Sequence, residues 1–492
     1  MATPSASHSK AAANQQSALP FSLDVCRQAR LSRDTRFDGQ FFIAVKTTGI
    51  FCRNVCPAVT PKENNIHYYG TAVEASQAGF RPCLRCRPDS APGSFAWLGV
   101  ETSVLRAVRL IDEGVLHQGS VVALAERLGV SDRYLRKLFR ERFGVGPKEY
   151  SLFGQVMFAK KLLHETLLPM TEVAFASGFN SVRRFNDCFR KTLNLSPTDI
   201  RRKEKIGASV AVSGQPQVTL QLSYRGHFNW QHTLDYLAQR ALPEVEWIDG
   251  QHYGRTFDTR ELDLEGDITQ GHFVVSPEPK KRCLNLTVSI EDATRLLPVV
   301  HRIRALFDLN ADLPTVEAHL HHSDFPWVEG IRIPGIWSVF EAGVRAIIGQ
   351  QISIAAARTQ LTRLVAGLGA EGAQGRRLFP TPAAVANSDL SMLKMPEARK
   401  QTLQALAQWV LDHNEERTQD PDAFVESWQQ IKGIGPWTTQ YVAMRALHNP
   451  DIWLATDLGI KKALAEHPLA GEQLAPWRSY GTFQLWNSLA NL

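Results

Sequence analysis

Apolar residues recur at two periods along this chain, and the change from one to the other divides it. Residues 120–143, "SVVALAERLGVSDRYLRKLFRERF", carry Leu124, Leu128, Leu135 and Phe139 at helical spacing. Gly129 interrupts the run, and Ser131 stands where a helix cap is needed. The pattern recurs at 171–191, "TEVAFASGFNSVRRFNDCFRK": Gly178 answers Gly129, Phe189 answers Phe139 and Arg190 answers Arg140, with one extra residue between. "VGP" at 145–147 is echoed by "LSP" at 195–197. Two helix-turn-helix units are predicted, each with a basic second helix, and the first exposes Arg133, Arg136, Lys137 and Arg140. Arg133, Arg136, Arg183 and Arg184 are the candidates for base or phosphate contact. Further on the period shortens. "QVTLQLSY", "HFVVSPEP" and "RCLNLTVSI" between 217 and 290 read as strands and "WQHTLDYLAQRAL" as a helix, and from about 291 the pattern is helical to the end. Cys188 aligns with Leu138 and Cys283 lies in a strand-like run, so both read as small buried hydrophobes.

A length of 492 residues calls for two to four domains, and 44% apolar with 21% charged residues is ordinary for a globular protein. Residues 1–20, small and polar, read as a disordered tail and not a signal peptide. No apolar run reaches the roughly 18 residues of a membrane span. Seven cysteines in so long a chain make no disulfide scaffold, and a reducing cytoplasm is expected. The net charge of +6 is unevenly spread: 11 Lys and Arg against 6 Asp and Glu over 1–92, 19 against 12 over 93–207, and 25 against 31 over 208–492. The basic front half suits a polyanion, whereas the acidic rear half must owe any nucleic-acid contact to a local site.

Four of the cysteines, Cys52, Cys56, Cys83 and Cys86, form C-x3-C-x26-C-x2-C, with Arg53 and Lys46 beside the first pair and three arginines around the second. Two close pairs joined by a longer loop suit tetrahedral zinc. A purely structural zinc knot is the commonest use of such a pattern. A four-thiolate site is closed, so any chemistry there must use a ligand sulfur, which the metal keeps deprotonated. Next to Arg53, such a thiolate can approach an anion. The words "FFIAVKTTGIFCRNVCP" and "EASQAGFRPCLRCRPD" resemble the amino-terminal domain of the bacterial Ada adaptive-response proteins over roughly residues 20–90. The resemblance implies that Cys52 accepts a methyl group, irreversibly, from a methylphosphotriester in DNA. Four thiolates on Zn²⁺ carry a formal −2 and methylation leaves −1, so DNA affinity should rise. The two helix-turn-helix units resemble the AraC-type DNA-binding domain, in which one chain reaches two major-groove faces without dimerising.

In the rear half "QIKGIGPWTTQYVAMRAL" places Gly433 and Gly435 around Ile434 with Pro436 opening a helix. Glycines allow close backbone approach and helix-start amides face an anion, as in a helix-hairpin-helix grip on a DNA phosphate. An ordinary glycine-rich turn is the plainer reading. With "DIWLATDLGIKKAL" and "APWRSYGTFQLWNSLA", the set resembles the alkyladenine glycosylases of the AlkA type over about 215–492. The resemblance implies a catalytic carboxylate at Asp457, pocket aromatics at Tyr441 and Trp486, and Trp437 in the hairpin. "AIIGQQIS" matches the segment that wedges into the duplex; Gln350 and Gln351 stand where the best-known member uses a leucine, which leaves the wedge residue open. A methylated purine is a cation and a good leaving group; aromatic faces favour it by about 0.5–2 kcal/mol per contact, and a carboxylate suits the developing cation at C1′. By residue type alone Asp457 could equally be a helix cap and the aromatics plain core.

Trp437 stands where the strand-cleaving members of the superfamily carry lysine, so no lyase step is expected. No four-cysteine iron–sulfur motif follows the hairpin, and the Pro-Cys-His-Arg word of the Ada alkylguanine methyltransferase domain is missing. The fold class expected is a multidomain α+β protein: an Ada-like zinc domain over 21–92, an all-α double helix-turn-helix domain over 97–205, an antiparallel-sheet subdomain over 215–298 and an all-α helix-hairpin-helix glycosylase domain over 299–492. Expected function is methyl transfer to Cys52 coupled to transcription activation, plus monofunctional excision of alkylated purines such as 3-methyladenine. Two other readings stand: a regulator whose rear domain binds damage without cutting, and a glycosylase tethered by a structural zinc domain. Zn²⁺ is the expected cofactor and double-stranded DNA the partner of a monomer, with room for RNA polymerase as a second partner.

Overall fold

The structure is a computed structural model and describes residues 19, 21–34, 37–56, 58–83, 86, 88, 102–202, 217–260, 262, 268–321, 325–413 and 421–490. The tail expected over 1–20 lies outside these residues but for Leu19. The architecture is multidomain α+β, in two compact units, 1–208 and 209–492. Among the described residues no helix is long and apolar enough to cross a membrane.

The first unit opens with a four-stranded sheet of β1 (Phe42–Val45), β2 (Ile50–Arg53), β3 (Ile66–Tyr69) and β4 (Arg81–Pro82), in the order β3-β1-β2-β4. Alternation splits its side chains between two faces. Phe41, Ile43, Ile66 and Tyr68 meet Cys26 and Ala29 of the helix Leu23–Leu31. Phe42, Ala44 and Phe51 face Ala75 of the helix Ala72–Gln77. The latter cluster also receives Phe153 from the long helix Pro147–Glu165, which packs as well against the first helix-turn-helix core. Helix Ala72–Gln77 thus lies against the helical part of the unit. Its cap Thr71 donates from Oγ1 to the Phe143 carbonyl at 3.5 Å, and Ser76 Oγ donates to the Thr192 carbonyl at 3.5 Å.

Both helix-turn-helix units form as their sequences predict. The helices Val121–Arg127 and Asp132–Phe143 make the first; Met170–Ala176 and Val182–Leu193 make the second. Ser131 and Ser181 cap the second helix of each, accepting from the Tyr134 and Arg184 amides at 3.2 and 3.3 Å. Gly129 and Gly178 turn the chain at φ +66° and +80°. Gly144 and Asn194 end the helices in the left-handed conformation.

His117 sits between the two units. A Cβ on Gly178 would come within 2.7 Å of its ring, and its carbonyl accepts from Asn180 Nδ2 at 3.4 Å. Burial, helped by the Lys148 charge, lowers the imidazole from 6.5 to about 4. The unfolded chain therefore holds the extra proton between these values, so the stability from neutral His117 is complete above about 6.5 and lost as pH falls toward 4. The size is on the order of 3 kcal/mol. The thermal midpoint of the helix-turn-helix transition should fall on acidification through this window. His117→Gln should flatten that fall; an equally steep fall in the variant would refute the assignment.

The second unit has a five-stranded antiparallel sheet, β5 (Gln217–Ser223), β6 (Glu246–Asp249), β7 (His252–Asp258), β8 (Gln270–Glu278) and β9 (Cys283–Ile290), in the order β5-β9-β8-β7-β6. The three expected strands and the helix Trp230–Ala238 are there; β6 and β7 were not foreseen. β7 is buried on both faces from Tyr253 to Phe257, so it lacks alternation, and Arg255 breaks its apolar run. Arg255 is tolerated inside because Glu246 and Glu341 pair with it, and Arg345 bridges the same two carboxylates at 2.6 and 2.7 Å. Burial works against ionising Glu246, but Arg345 and Arg255 hold it down at about 2. This network bolts the sheet to the helix Val339–Gly349, the axis of the helical core around Trp428, Leu403 and Leu406.

Candidate functional site

Cys52 is the last residue but one of β2, opposite Ile43 of β1, and Cys83 follows β4 directly. β2 and β4 pair in parallel with Phe51 opposite Pro82, and the Cys83 amide donates to the Phe51 carbonyl at 2.9 Å. That pairing brings the two cysteine pairs together, and the four sulfurs lie within 4.8 Å of one another. A zinc ion bonded to four sulfurs at about 2.3 Å sets them about 3.8 Å apart, so the cluster fits it. Cys56, Cys83 and Cys86 are 7–8% exposed, whereas Cys52 is more open. The Arg53 amide donates to Cys86 Sγ at 3.4 Å. Its guanidinium donates to the Cys86 carbonyl at 3.2 Å and grips both oxygens of Asp38, with Nε–Oδ1 at 2.6 Å. Arg53 is thus partly neutralised and fixed. Of the surrounding arginines, Arg85 and Arg87 lie outside the described residues.

On the helix-turn-helix units, Arg133, Arg183 and Arg184 are exposed, and Arg136 is half-buried with Asp132 at 3.4 Å. Opposite them Leu135 and Phe139 are buried, as are Phe185 and Phe189. Cys188 is half-buried, short of the full burial expected: its side chain sits at the edge of the Phe185–Phe189–Leu193 face.

In the second unit Gly433 has φ +95°, and a Cβ there would meet Thr402 Oγ1 at 2.3 Å, so glycine is required. Gly435 precedes Pro436, the first residue of the helix Pro436–Arg445. Trp437, Tyr441 and Arg445 follow at four-residue steps and share one face. Asp457 caps the helix Leu458–Glu466, Oδ1 accepting from the Ile460 amide at 3.0 Å. Its cap role and its place in a site coexist. Oδ1 also accepts from Trp486 Nε1 at 3.0 Å and Oδ2 from Trp437 Nε1 at 3.0 Å. A cavity of about 1070 Å³ opens beside them, lined by Asp457, Trp437, Tyr441 and Trp486. Trp437 stacks on Tyr441 with centroids 5.4 Å apart, and Tyr441 and Trp486 are 6.5 Å apart. The structure therefore brings Asp457 and all three aromatics together, with Gly433 and Gly435 at the helix start that carries two of them.

Sequence reasoning missed the rest of the wall. Tyr236, Phe483 and Arg240 line the cavity, Arg240 lying 3.7 Å from the Tyr236 ring centre. Arg445, buried, donates to the hydroxyls of Tyr441 and Tyr236. Arg445 had a signal, the third step of the Trp437–Tyr441 face. Tyr236 had none, being about 200 residues away in sequence. Gln350 and Gln351 sit in the turn after Gly349, where Gln351 is exposed and Gln350 half-buried.

Comparison with known proteins gives three family matches: the metal binding domain of Ada over 25–89, a helix-turn-helix domain over 124–203, and the AlkA N-terminal domain over 219–338. The first contains all four cysteines, and their cluster is a zinc-binding one. A Mycobacterium tuberculosis protein named "Probable bifunctional transcriptional activator/DNA repair enzyme AlkA" is 35% identical over 94% of this chain and 96% of its own. The DNA-3-methyladenine glycosylase 2 of Escherichia coli K12 is 30% identical over 54% of this chain and 95% of its own. The bifunctional transcriptional activator/DNA repair enzyme Ada of the same organism is 38% identical over 25% of this chain and 33% of its own.

Proposed function

Since the chain belongs to the family of bifunctional Ada/AlkA-like transcriptional activators and DNA repair enzymes, we propose that it carries out two reactions on alkylated DNA. The rear unit hydrolyses the N-glycosidic bond of alkylated purines such as 3-methyladenine. The front unit takes a methyl group from a methylphosphotriester onto Cys52 and then activates transcription. The observation that carries the first is a carboxylate, Asp457, held by two indole N–H groups on the wall of an aromatic cavity. A flipped purine stacks among Trp437, Tyr441 and Trp486, and Asp457 faces the sugar as positive charge grows at C1′ and water replaces the base. The amides of Gly433 and Gly435, which make no hydrogen bond among the described residues, hold a phosphate meanwhile. Trp437 offers no amine to the sugar, so hydrolysis ends at an abasic site.

The relative openness of Cys52 supports its role as acceptor. Bound zinc supplies the positive charge that keeps the four sulfurs as thiolates. The Cys52 sulfur bonds the methyl carbon, the carbon–oxygen bond breaks, and the phosphodiester leaves as an anion. The helix Ala72–Gln77 reaches the ends of both recognition helices, so sensor and reader share one scaffold, and one chain carries both readers as a monomer. Arg133, Arg136, Arg183 and Arg184 are the proposed DNA contacts, and RNA polymerase is compatible with the activator role. Four cysteines in a zinc cluster and three more, Cys26, Cys188 and Cys283, outside any disulfide suit a cytoplasmic setting.

The deciding experiment incubates the full chain with methylated duplex DNA. Free 3-methyladenine and an abasic strand that breaks only on alkali treatment are expected. Damage-specific binding with no base released would instead establish a regulator that recognises lesions without cutting them.

A further inference from the structure

The proposed function has the hairpin before Pro436 hold a phosphate, and the resemblance of "AIIGQQIS" to a wedging segment adds a second DNA-facing element, the exposed turn after Gly349. Their helices pack in one core, and the Gln350 side chain adds hydrogen bonds directly from the turn to the hairpin. The helix Val339–Gly349 ends at this turn, and Ser353 caps the next helix, Ile354–Leu368. Gln351 adopts a left-handed φ of +59°, and every residue from Gln351 to Ala356 is exposed, including Ile352 at 38% and Ile354 at 42%. Gln350 is engaged elsewhere. Its Nε2 donates to the Gly433 carbonyl at 3.2 Å and to Thr438 Oγ1 at 3.2 Å. From the other side the Thr402 hydroxyl shares its hydrogen between the Lys432 carbonyl at 3.0 Å and the Ala398 carbonyl at 2.9 Å. The hairpin carbonyls are thus tied back, while the amides of Gly433, Gly435 and Trp437 make no hydrogen bond among the described residues.

We propose that Gln350 is a positioning residue, a strut that fixes the exposed turn to the hairpin, so that gripping a phosphate and pushing Gln351 and Ile352 into the base stack occur as one movement. The inference rests on the glycosylase reading. Unstacking a duplex costs free energy, and a wedge can deliver it only if its base is fixed relative to a point held on the DNA. The phosphate held by the hairpin is that point, and Gln350 is the side chain that carries the load across. A Gln351 or Ile352 side chain on an unbraced turn would yield instead of the bases.

The test uses the full chain and a duplex with 2-aminopurine beside a tetrahydrofuran abasic analogue, whose fluorescence rises on unstacking. Affinity for an undamaged duplex and the thermal midpoint are measured in parallel. Gln350→Ala should raise the protein concentration needed for the fluorescence rise about tenfold, the scale of two lost hydrogen bonds. Affinity for undamaged DNA should stay within about twofold, because the hairpin amides remain. Gln350→Met, of similar size and uncharged but without the donor, should behave alike, which separates the strut from a simple packing defect. Thr438→Val added to Gln350→Ala should cost nothing further, because the contact is already gone. Multiplying effects of the two substitutions, or an equal loss of affinity for undamaged DNA, would mean that Gln350 touches DNA directly and would overturn the proposal. Base release by the wild-type chain is scored separately: its absence sinks the glycosylase reading, whereas the fluorescence and double-variant results judge the strut.

Discussion

Asp457→Asn should abolish most base release, by about 10²–10⁴-fold at saturating protein in a single turnover. The size follows from what the substitution changes. Asn is nearly isosteric and can keep its carbonyl at Oδ1, where the Ile460 amide and Trp486 Nε1 both donate at 3.0 Å. The helix cap therefore survives, and the thermal midpoint should move by no more than about 3 °C. The amide NH₂ must then occupy the Oδ2 place, where Trp437 Nε1 donates at 3.0 Å. Two donors face each other, and the negative charge opposite the sugar is gone. Each factor of ten in rate corresponds to about 1.4 kcal/mol, so the loss asks about 3–5 kcal/mol of one charge in a partly enclosed site, which is within reach. Trp437→Phe keeps the ring and removes only its N–H; a smaller loss, about tenfold, is expected from a less well held carboxylate. Release by Asp457→Asn at the wild-type rate would leave Asp457 as a helix cap and nothing more.

The second large effect is at the zinc cluster. Incubation of the zinc-loaded chain with DNA bearing methylphosphotriesters should add one methyl group per chain, and peptide mapping should place it on Cys52. Cys52→Ser should take up none. Cys52 is the only one of the four sulfur ligands not buried, and the others are closed off at 7–8% exposure. Methylation takes one negative charge off the cluster, from −2 to −1. Affinity for promoter DNA should rise about tenfold at low salt, and the slope of log K against log salt should steepen by about one. A gain independent of salt would exclude this charge mechanism. A methyl group on Cys56, Cys83 or Cys86, or none at all with zinc present and DNA bound, would reduce the cluster to a structural knot.

Much of this was written locally. The serine caps, the glycines at 129 and 178, and the 50-residue echo of Phe139 in Phe189 are short-range facts, and short-range sterics and hydrogen bonding decide them. The spacing of the four cysteines allowed only a small set of metals, because ligand softness and tetrahedral geometry are properties of the residues themselves. Gly435 and Pro436 announced the start of their helix for the same reason.

The tertiary structure decided what depends on distance. Parallel pairing of β2 with β4 sets Cys52 beside Cys83, and no spacing rule fixes the hand or register of that pairing. β7 hid because both its faces are covered and its arginine needs Glu246 and Glu341 to be tolerated. Asp457 reads as a helix cap from its residue type; its place on a cavity wall, with two indoles, one 20 residues before it and one 29 after, donating to its oxygens, is visible only in the fold. Tyr236 reaches the same cavity from 209 residues before Arg445. Gln350 reads as a wedge from its place in the chain and as a brace from its contacts. Sequence determines which groups are available and how each turn of chain begins and ends. Which groups converge is set by the packing of remote elements, whose pairing energy no local window contains.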